Sequence, residues 1–99
     1  MASERRYHPL VADDLSSAAS YYDGISIELG NRFRSAVRIR FETISSRPES
    51  FGCINGVYRA AVVERFPYVI MFESKDDLVS ILGVFHAASD RVGWFDRSL

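Results

Sequence analysis

Ninety-nine residues with a hydrophobic share of 47% and a charged share of 25% make a single domain, 1–99, whose core needs neither a metal nor a disulfide. A net charge of −1 gives the whole chain no electrostatic pull toward nucleic acid, which leaves only a local basic patch for such contacts. No apolar run is long enough to span a membrane, Met1–Tyr7 carries no signal-peptide pattern, and Cys53 has no second cysteine to pair with. The expectation is a cytoplasmic chain in a reducing compartment, without a membrane partner.

In chain order, Arg5–Tyr7 reads as a short first strand. Pro9 suits the first position of a helix, where its missing N–H has no partner to lose. Asp13 and Asp14 fall in that first turn and complement the helix dipole. Leu15, Ala18, Ala19 and Tyr22 follow at helical spacing, and Gly24 marks the end, so a helix is predicted over 9–23. Ser26 is the N-cap expected for a second helix. Leu29, Phe33, Ala36, Val37, Phe41 and Ile44 form its apolar stripe, with Arg32, Arg34, Arg38 and Arg40 on the other sides. That helix runs to about Ser45, and Pro48 prevents further propagation. Two helices so close in sequence form an antiparallel hairpin. Glu49–Val57, with Gly52, Asn55 and Gly56, is a loop.

The rest of the chain reads as strands. Tyr58–Arg65 alternates, while Tyr68–Phe72 and Leu78–Phe85 are almost wholly apolar, as buried strands are. Ser74–Asp77 is the only polar break between the last two, which predicts a hairpin. Pro67 belongs at a strand start, since it cannot donate to a ladder. The predicted fold is α+β: an N-terminal helical hairpin packed on an antiparallel sheet, in the order β-α-α-β-β-β. One helical hairpin covers one face of a sheet. Strict alternation places Val69, Met71, Leu82 and Val84 opposite Ile70, Phe72, Val79, Ile81 and Phe85, so a second apolar face needs a cover. The tail with Trp94 and Phe95 covers part of it, and a partner chain the remainder.

An ordered series of residues runs through most of the chain. It comprises Pro9 with Ala12, Asp14 and Leu15; Ala19 and Tyr22; Leu29, Arg32 and Phe33; Pro48 and Phe51; Tyr58-Arg59; Arg65-Phe66-Pro67-Tyr68; His86 after an apolar strand; and Trp94 with Arg97. This series resembles the RelE/ParE superfamily, the toxins of bacterial type II toxin–antitoxin systems and of the plasmid stabilisation family. The resemblance implies the same fold, growth inhibition, and a cognate antitoxin whose C-terminal segment covers the toxin. It implies no cofactor. The chain departs from the family pattern after His86, where Ser89 and Arg91 stand in place of the usual Arg and Pro.

Two functions compete under that resemblance. A ParE-like toxin binds DNA gyrase and needs no catalysis of its own. A RelE-like toxin is a ribosome-dependent mRNA endoribonuclease, so its partners are ribosome and mRNA. A decayed homologue that only binds antitoxin is a third reading. For mRNA cleavage a base takes the 2′-hydroxyl proton, a cation steadies the phosphate and an acid protonates the leaving oxygen. Glu64, Arg65 and His86 are the candidates for those catalytic roles. Glu64 and Arg65 are neighbours that a regular strand sends to opposite faces. His86 reads more readily as a structural residue bonding the tail backbone. For target or partner binding the candidates are Arg59, Arg65, Trp94 and Arg97. Arg59 and Arg65 share parity, so a regular strand puts both on one face, where they meet phosphates, an acidic partner or a nearby carboxylate such as Glu64 or Glu73. Trp94 reads as a packing anchor or a stacking platform. Arg97 either reaches back toward Arg59 and Arg65 or frays with the terminus. No His/Cys cluster has metal-ligand spacing. A ribosome-acting toxin should be markedly basic, and this chain is not, which favours the gyrase-binding reading.

Overall fold

A single residue joins the two long helices. In the computed structural model, which describes residues 4–97, α1 spans Val11–Ile25 and α2 spans Ile27–Ser46, and Ser26 between them is fully extended. The Ser26 N–H donates back to the Tyr22 carbonyl, ending α1, and its Oγ accepts from the Leu29 N–H at 3.0 Å, starting α2. Gly24 therefore lies inside α1 rather than ending it. Pro9 likewise stands outside the helix. A tight turn intervenes, in which the His8 carbonyl accepts from Val11 N–H and His8 Nδ1 accepts from Leu10 N–H. Asp23 and Arg34 bond across the hairpin, at 3.0 Å for one of their two hydrogen bonds. Gly30 makes that possible, because a Cβ there would stand 1.7 Å from Asp23 Oδ1.

The sheet has five strands: the short first strand expected at Arg5–Tyr7, the three of the meander expected over 58–85, and one more. These are β1 (Glu4–Tyr7), β2 (Cys53–Asn55), β3 (Tyr58–Val62), β4 (Tyr68–Lys75) and β5 (Leu78–His86), in the spatial order β1-β5-β4-β3-β2. β1 pairs with β5 in parallel, and every other pair is antiparallel. The expected helical hairpin on a sheet is present, but the sheet is mixed. The helices lie between β1 and the remaining strands in sequence and carry the chain back over the sheet. The loop expected at 49–57 contributes β2 as an edge strand, after a single 3-10 turn at Pro48–Ser50. The β4–β5 hairpin closes through only Asp76 and Asp77, with Asp76 at φ 56°, the left-handed geometry a two-residue turn requires. A short C-terminal helix, α3 (Arg91–Trp94), follows β5, and the expected domain bounds extend past the described residues at both ends.

The α2 stripe is buried as its spacing predicted. Phe33, Val37, Phe41 and Ile44 pack with Ala61, Ile70, Phe72, Val79 and Ile81 on the helical side of the sheet. Phe33 and Ile44 are fully buried, each contributing about 1.5–3 kcal/mol of transfer free energy. Strict alternation fails in β5. Met71 pairs with Gly83 but Phe72 pairs with Ile81, so Leu82 is an extra residue in a β-bulge. The bulge resets parity: Val79, Ile81 and Val84 face the helices, while Leu82 joins Val69 and Met71 on the opposite face. There Trp94 (2% exposed), Phe95 and Phe85 cover them. The surplus apolar face expected to need a partner is thus closed by the chain's own C-terminal segment.

Candidate functional site

Glu64 and Arg65 do not lie on a strand. β3 ends at Val62, and a turn carries the chain to β4, with Phe66 N–H donating to the Val63 carbonyl and Arg65 at φ 71°. This non-glycine left-handed residue swings both exposed side chains clear of the sheet. Arg59 and Arg65 therefore do not share a strand face. Arg59 is half-buried in β3, and its guanidinium donates to the Phe51 carbonyl, tying the strand to the preceding loop. That hydrogen bond takes the place of the carboxylate partners expected of it.

His86 ends β5 opposite Tyr68, with the two rings edge to face at 5.3 Å. Its Nδ1 accepts the Ala88 N–H at 3.0 Å, so the neutral ring carries its proton on Nε2. In this arrangement Nε2–H can donate a hydrogen bond, but the ring's basic nitrogen is engaged. Glu64, Arg65 and His86 sit at the same end of the sheet. Val63, just past the end of β3, lines up with Tyr68 of β4 and His86 of β5, which puts two strand spacings, roughly 10 Å, between the outer rows. No hydrogen bond or ion pair among the described residues joins any two of the three. An assembled acid–cation–base cluster of the kind RNA cleavage needs is not built.

Arg97 does not reach toward Arg59 or Arg65. It crosses to Asp14 in α1, with two hydrogen bonds of 2.8 and 3.0 Å. Asp14 Oδ2 also accepts the Val84 N–H at 3.0 Å, and Arg97 Nη1 also donates to the Leu82 carbonyl at 3.1 Å. β1 pairs with β5 only as far as Ile81. The ion pair takes over the unpaired edge beyond it and satisfies the backbone groups that the bulge leaves free. The Asp14 carboxylate keeps the Arg97 guanidinium protonated even above its usual range. The guanidinium lies over the Phe85 ring, 4.9 Å from its centre, and Phe85 stacks on Trp94 at 4.9 Å. The Trp94 indole N–H donates to Ser89 Oγ at 2.9 Å, and the Ser89 hydroxyl and N–H donate to the His86 carbonyl. Trp94 is a packing anchor, with no face left for stacking on a target. Ser89 thus links the Trp94 indole to the end of β5. Asp14 is the residue that sequence reasoning left at the helix dipole. Gly83, inside an apolar strand pattern, was the available sign of a bulge.

Two grooves flank the helices. One, of about 420 Å³, lies between α1 and α2 and includes Leu15, Ala19, Val37 and Phe41. The other, of about 1270 Å³, follows α2 from Ile27 to Arg47 and is walled on its far side by Glu64, Arg65 and Phe66 of the β3–β4 turn. Among the described residues no group of three or more His, Cys, Asp or Glu side chains could hold a metal ion, and no helix is long and apolar enough to cross a membrane.

No protein-family model matches this chain, and no curated protein matches it. A solved structure does: a chain of "Chromosomal ParDE TA system from P. aeruginosa", with a TM-score of 0.71 at 16% identity, covering 86% of this chain and 96% of that one. The chain shares the fold of that ParDE component along nearly its whole length.

Proposed function

We propose that this protein is the toxin of a type II toxin–antitoxin module, ParE-like, acting in the cytoplasm by binding DNA gyrase and neutralised by a cognate antitoxin. The observation that carries the reading is the fold likeness, which extends over 96% of a chain from a ParDE system. The geometry of Glu64, Arg65 and His86 supports binding over catalysis, because three separated groups with a capped imidazole make no relay for a 2′-hydroxyl proton. Arg65, exposed on the turn between β3 and β4, is the contact residue in this reading. Arg59, Trp94 and Arg97 are instead engaged in contacts within the chain. An mRNA endoribonuclease remains the second reading, since the three candidate groups do share one end of the sheet, and an antitoxin-binding homologue without toxicity is the third.

The test is induction of the chain alone, with DNA supercoiling and mRNA integrity measured separately. Growth arrest with relaxed or broken DNA and intact mRNA is expected. His86→Gln should leave arrest unchanged, whereas an enzyme using His86 would lose roughly 10²–10⁴-fold in rate. Arg65→Ala should abolish arrest, because a lost desolvated arginine contact costs about 2–5 kcal/mol. Messenger cleavage that His86→Gln eliminates would replace this reading with the enzymatic one, and absence of arrest would leave the third.

A further inference from the structure

The corner between the two long helices is apolar where a turn is ordinarily polar. Ile25 ends α1, Ile27 starts α2, and they are 62% and 75% exposed. Tyr21, one turn before Ile25 on the same flank of α1, is 65% exposed. Every residue of Gly24–Glu28 is exposed, so the corner stands clear of the sheet. None of the three side chains belongs to either core cluster. A helix start offers one structural use for Ile25, because the residue before an N-cap can staple onto the fourth helical position. With Ser26 as N-cap that position is Gly30, which has no side chain and whose Cβ space is filled by Asp23. Ile25 therefore staples nothing.

The corner is also stiff. Ser26 is the whole linker, and its N–H and Oγ are bonded to Tyr22 and Leu29. Asp23 and Arg34 fasten the helices together close behind it. Ile25 and Ile27 are β-branched residues in helices and hold essentially one χ1 rotamer. Little conformational entropy is lost when a partner buries such side chains. The charges around the corner cancel, Asp23 against Arg34 and Glu28 against Arg32. Arg65 is the exception. Its neighbour Phe66 packs on Tyr22 at 4.9 Å and on Phe33 at 5.2 Å, which brings the β3–β4 turn to this end of the hairpin. No carboxylate among the described residues pairs with Arg65.

We propose that Tyr21, Ile25 and Ile27 form a wedge that enters an apolar pocket on the toxin's protein target, with an acidic group of the pocket rim facing Arg65. The proposal rests on the toxin reading and deepens it by giving the Arg65 contact its apolar anchor. A few rigid side chains seated in a desolvated pocket, Tyr and Arg prominent among them, carry most of the binding energy of a protein interface. Other occupants fit less well. An anionic bilayer or a nucleic acid calls for a field of free cations, and two of the three arginines at this end are held by acids. A second copy would bury too little. Three side chains so exposed present on the order of 400 Å², so a corner-to-corner pair buries roughly 800 Å², the scale of a lattice contact rather than of a stable dimer.

The test is growth arrest on graded induction of the full chain, with the purified chain titrated in parallel against supercoiling by purified DNA gyrase. Ile25→Ser with Ile27→Ser removes the wedge, and Ile25→Leu with Ile27→Leu keeps it apolar. Val57→Ser removes a comparably exposed side chain, 63%, in the turn between β2 and β3. Circular dichroism checks that each variant keeps its fold. The serine pair should raise the chain level needed for arrest by about 10-fold or more, the leucine pair should stay close to wild type, and Val57→Ser should match it. All should still bind the small protein encoded by the neighbouring reading frame. Arrest that the serine pair leaves intact overturns the proposal, as does an equal loss with Val57→Ser. So does a serine pair that gives up binding to that small protein, a dimer of the chain alone, or adsorption to phosphatidylcholine vesicles. Arrest that depends on the wedge while gyrase is unaffected keeps the wedge and removes the gyrase reading. A wild-type chain that arrests no growth removes the toxin reading and the proposal together.

Discussion

Arg97→Ala should destabilise the protein by about 2–3 kcal/mol and free its C-terminal segment. The Arg97 and Asp14 side chains are 16% and 14% exposed, so their ion pair lies between two limits. An exposed pair is worth roughly 0–1 kcal/mol, and breaking a fully buried one costs about 3–5 kcal/mol. Alanine at 97 removes two hydrogen bonds to Asp14 and one to the Leu82 carbonyl. It also removes the cation above Phe85, worth about 0.5–1 kcal/mol. Asp14 keeps its bond from Val84 N–H, which holds the loss below the upper limit. For a domain of this size that corresponds to a fall in Tm of roughly 8–24 °C. The assay is urea unfolding followed by circular dichroism and by the fluorescence of Trp94, the chain's only tryptophan. Emission should shift to the red in the native baseline of the variant as Trp94 loosens. Asp14→Ala should cost more than Arg97→Ala, because it also orphans the buried Val84 N–H and strips negative charge from the first turn of α1. The single variants and the double variant close a cycle, and a coupling energy of at least about 1 kcal/mol is expected. Additive effects, or a loss under roughly 0.5 kcal/mol for Arg97→Ala, would refute the idea that this pair fastens the tail to the bulge.

Three further outcomes can be measured on the isolated chain. Gly83→Ala should disturb the same segment, since a Cβ there would lie 2.3 Å from Phe85 Cζ and 3.0 Å from Arg97 Nη1; amide exchange over 85–97 should rise while the α2 core stays protected. Ser45→Ala should be neutral or stabilise by about 1 kcal/mol in the same urea assay, because the buried Ser45 hydroxyl has no hydrogen-bond partner. Burial raises the Tyr22 phenol above its ordinary value of 10.0, and burial likewise raises Tyr68. The unfolded chain therefore ionises first, and stability present below pH 10 is lost as pH rises toward the folded-state values. Tyr22→Phe should flatten that alkaline slope, and an unchanged slope in urea unfolding between pH 9 and 11.5 would contradict it.

The helical hairpin and the central strands were determined by local sequence. Leu29, Phe33, Val37, Phe41 and Ile44 repeat at helical spacing, and only burying that stripe satisfies it. Ser26 announces a helix start through its own side chain, and the apolar runs of β4 and β5 tolerate little except a central position. What the sequence left open depends on partners far away in the chain. β1 pairs in parallel with a strand more than seventy residues later, and no local pattern encodes that register. Asp14 and Arg97 are 83 residues apart, so each reads alone as a helix-dipole acid and a tail base. The bulge at Leu82 exchanges the faces of Val84 and Phe85; its edge groups are satisfied by that ion pair, so parity there could be read only once the tail was in place. The turn at Arg65 removed a candidate from the Arg59 face for the same reason. A period-2 rule holds while the ladder is regular, and tertiary contacts decide where it stops.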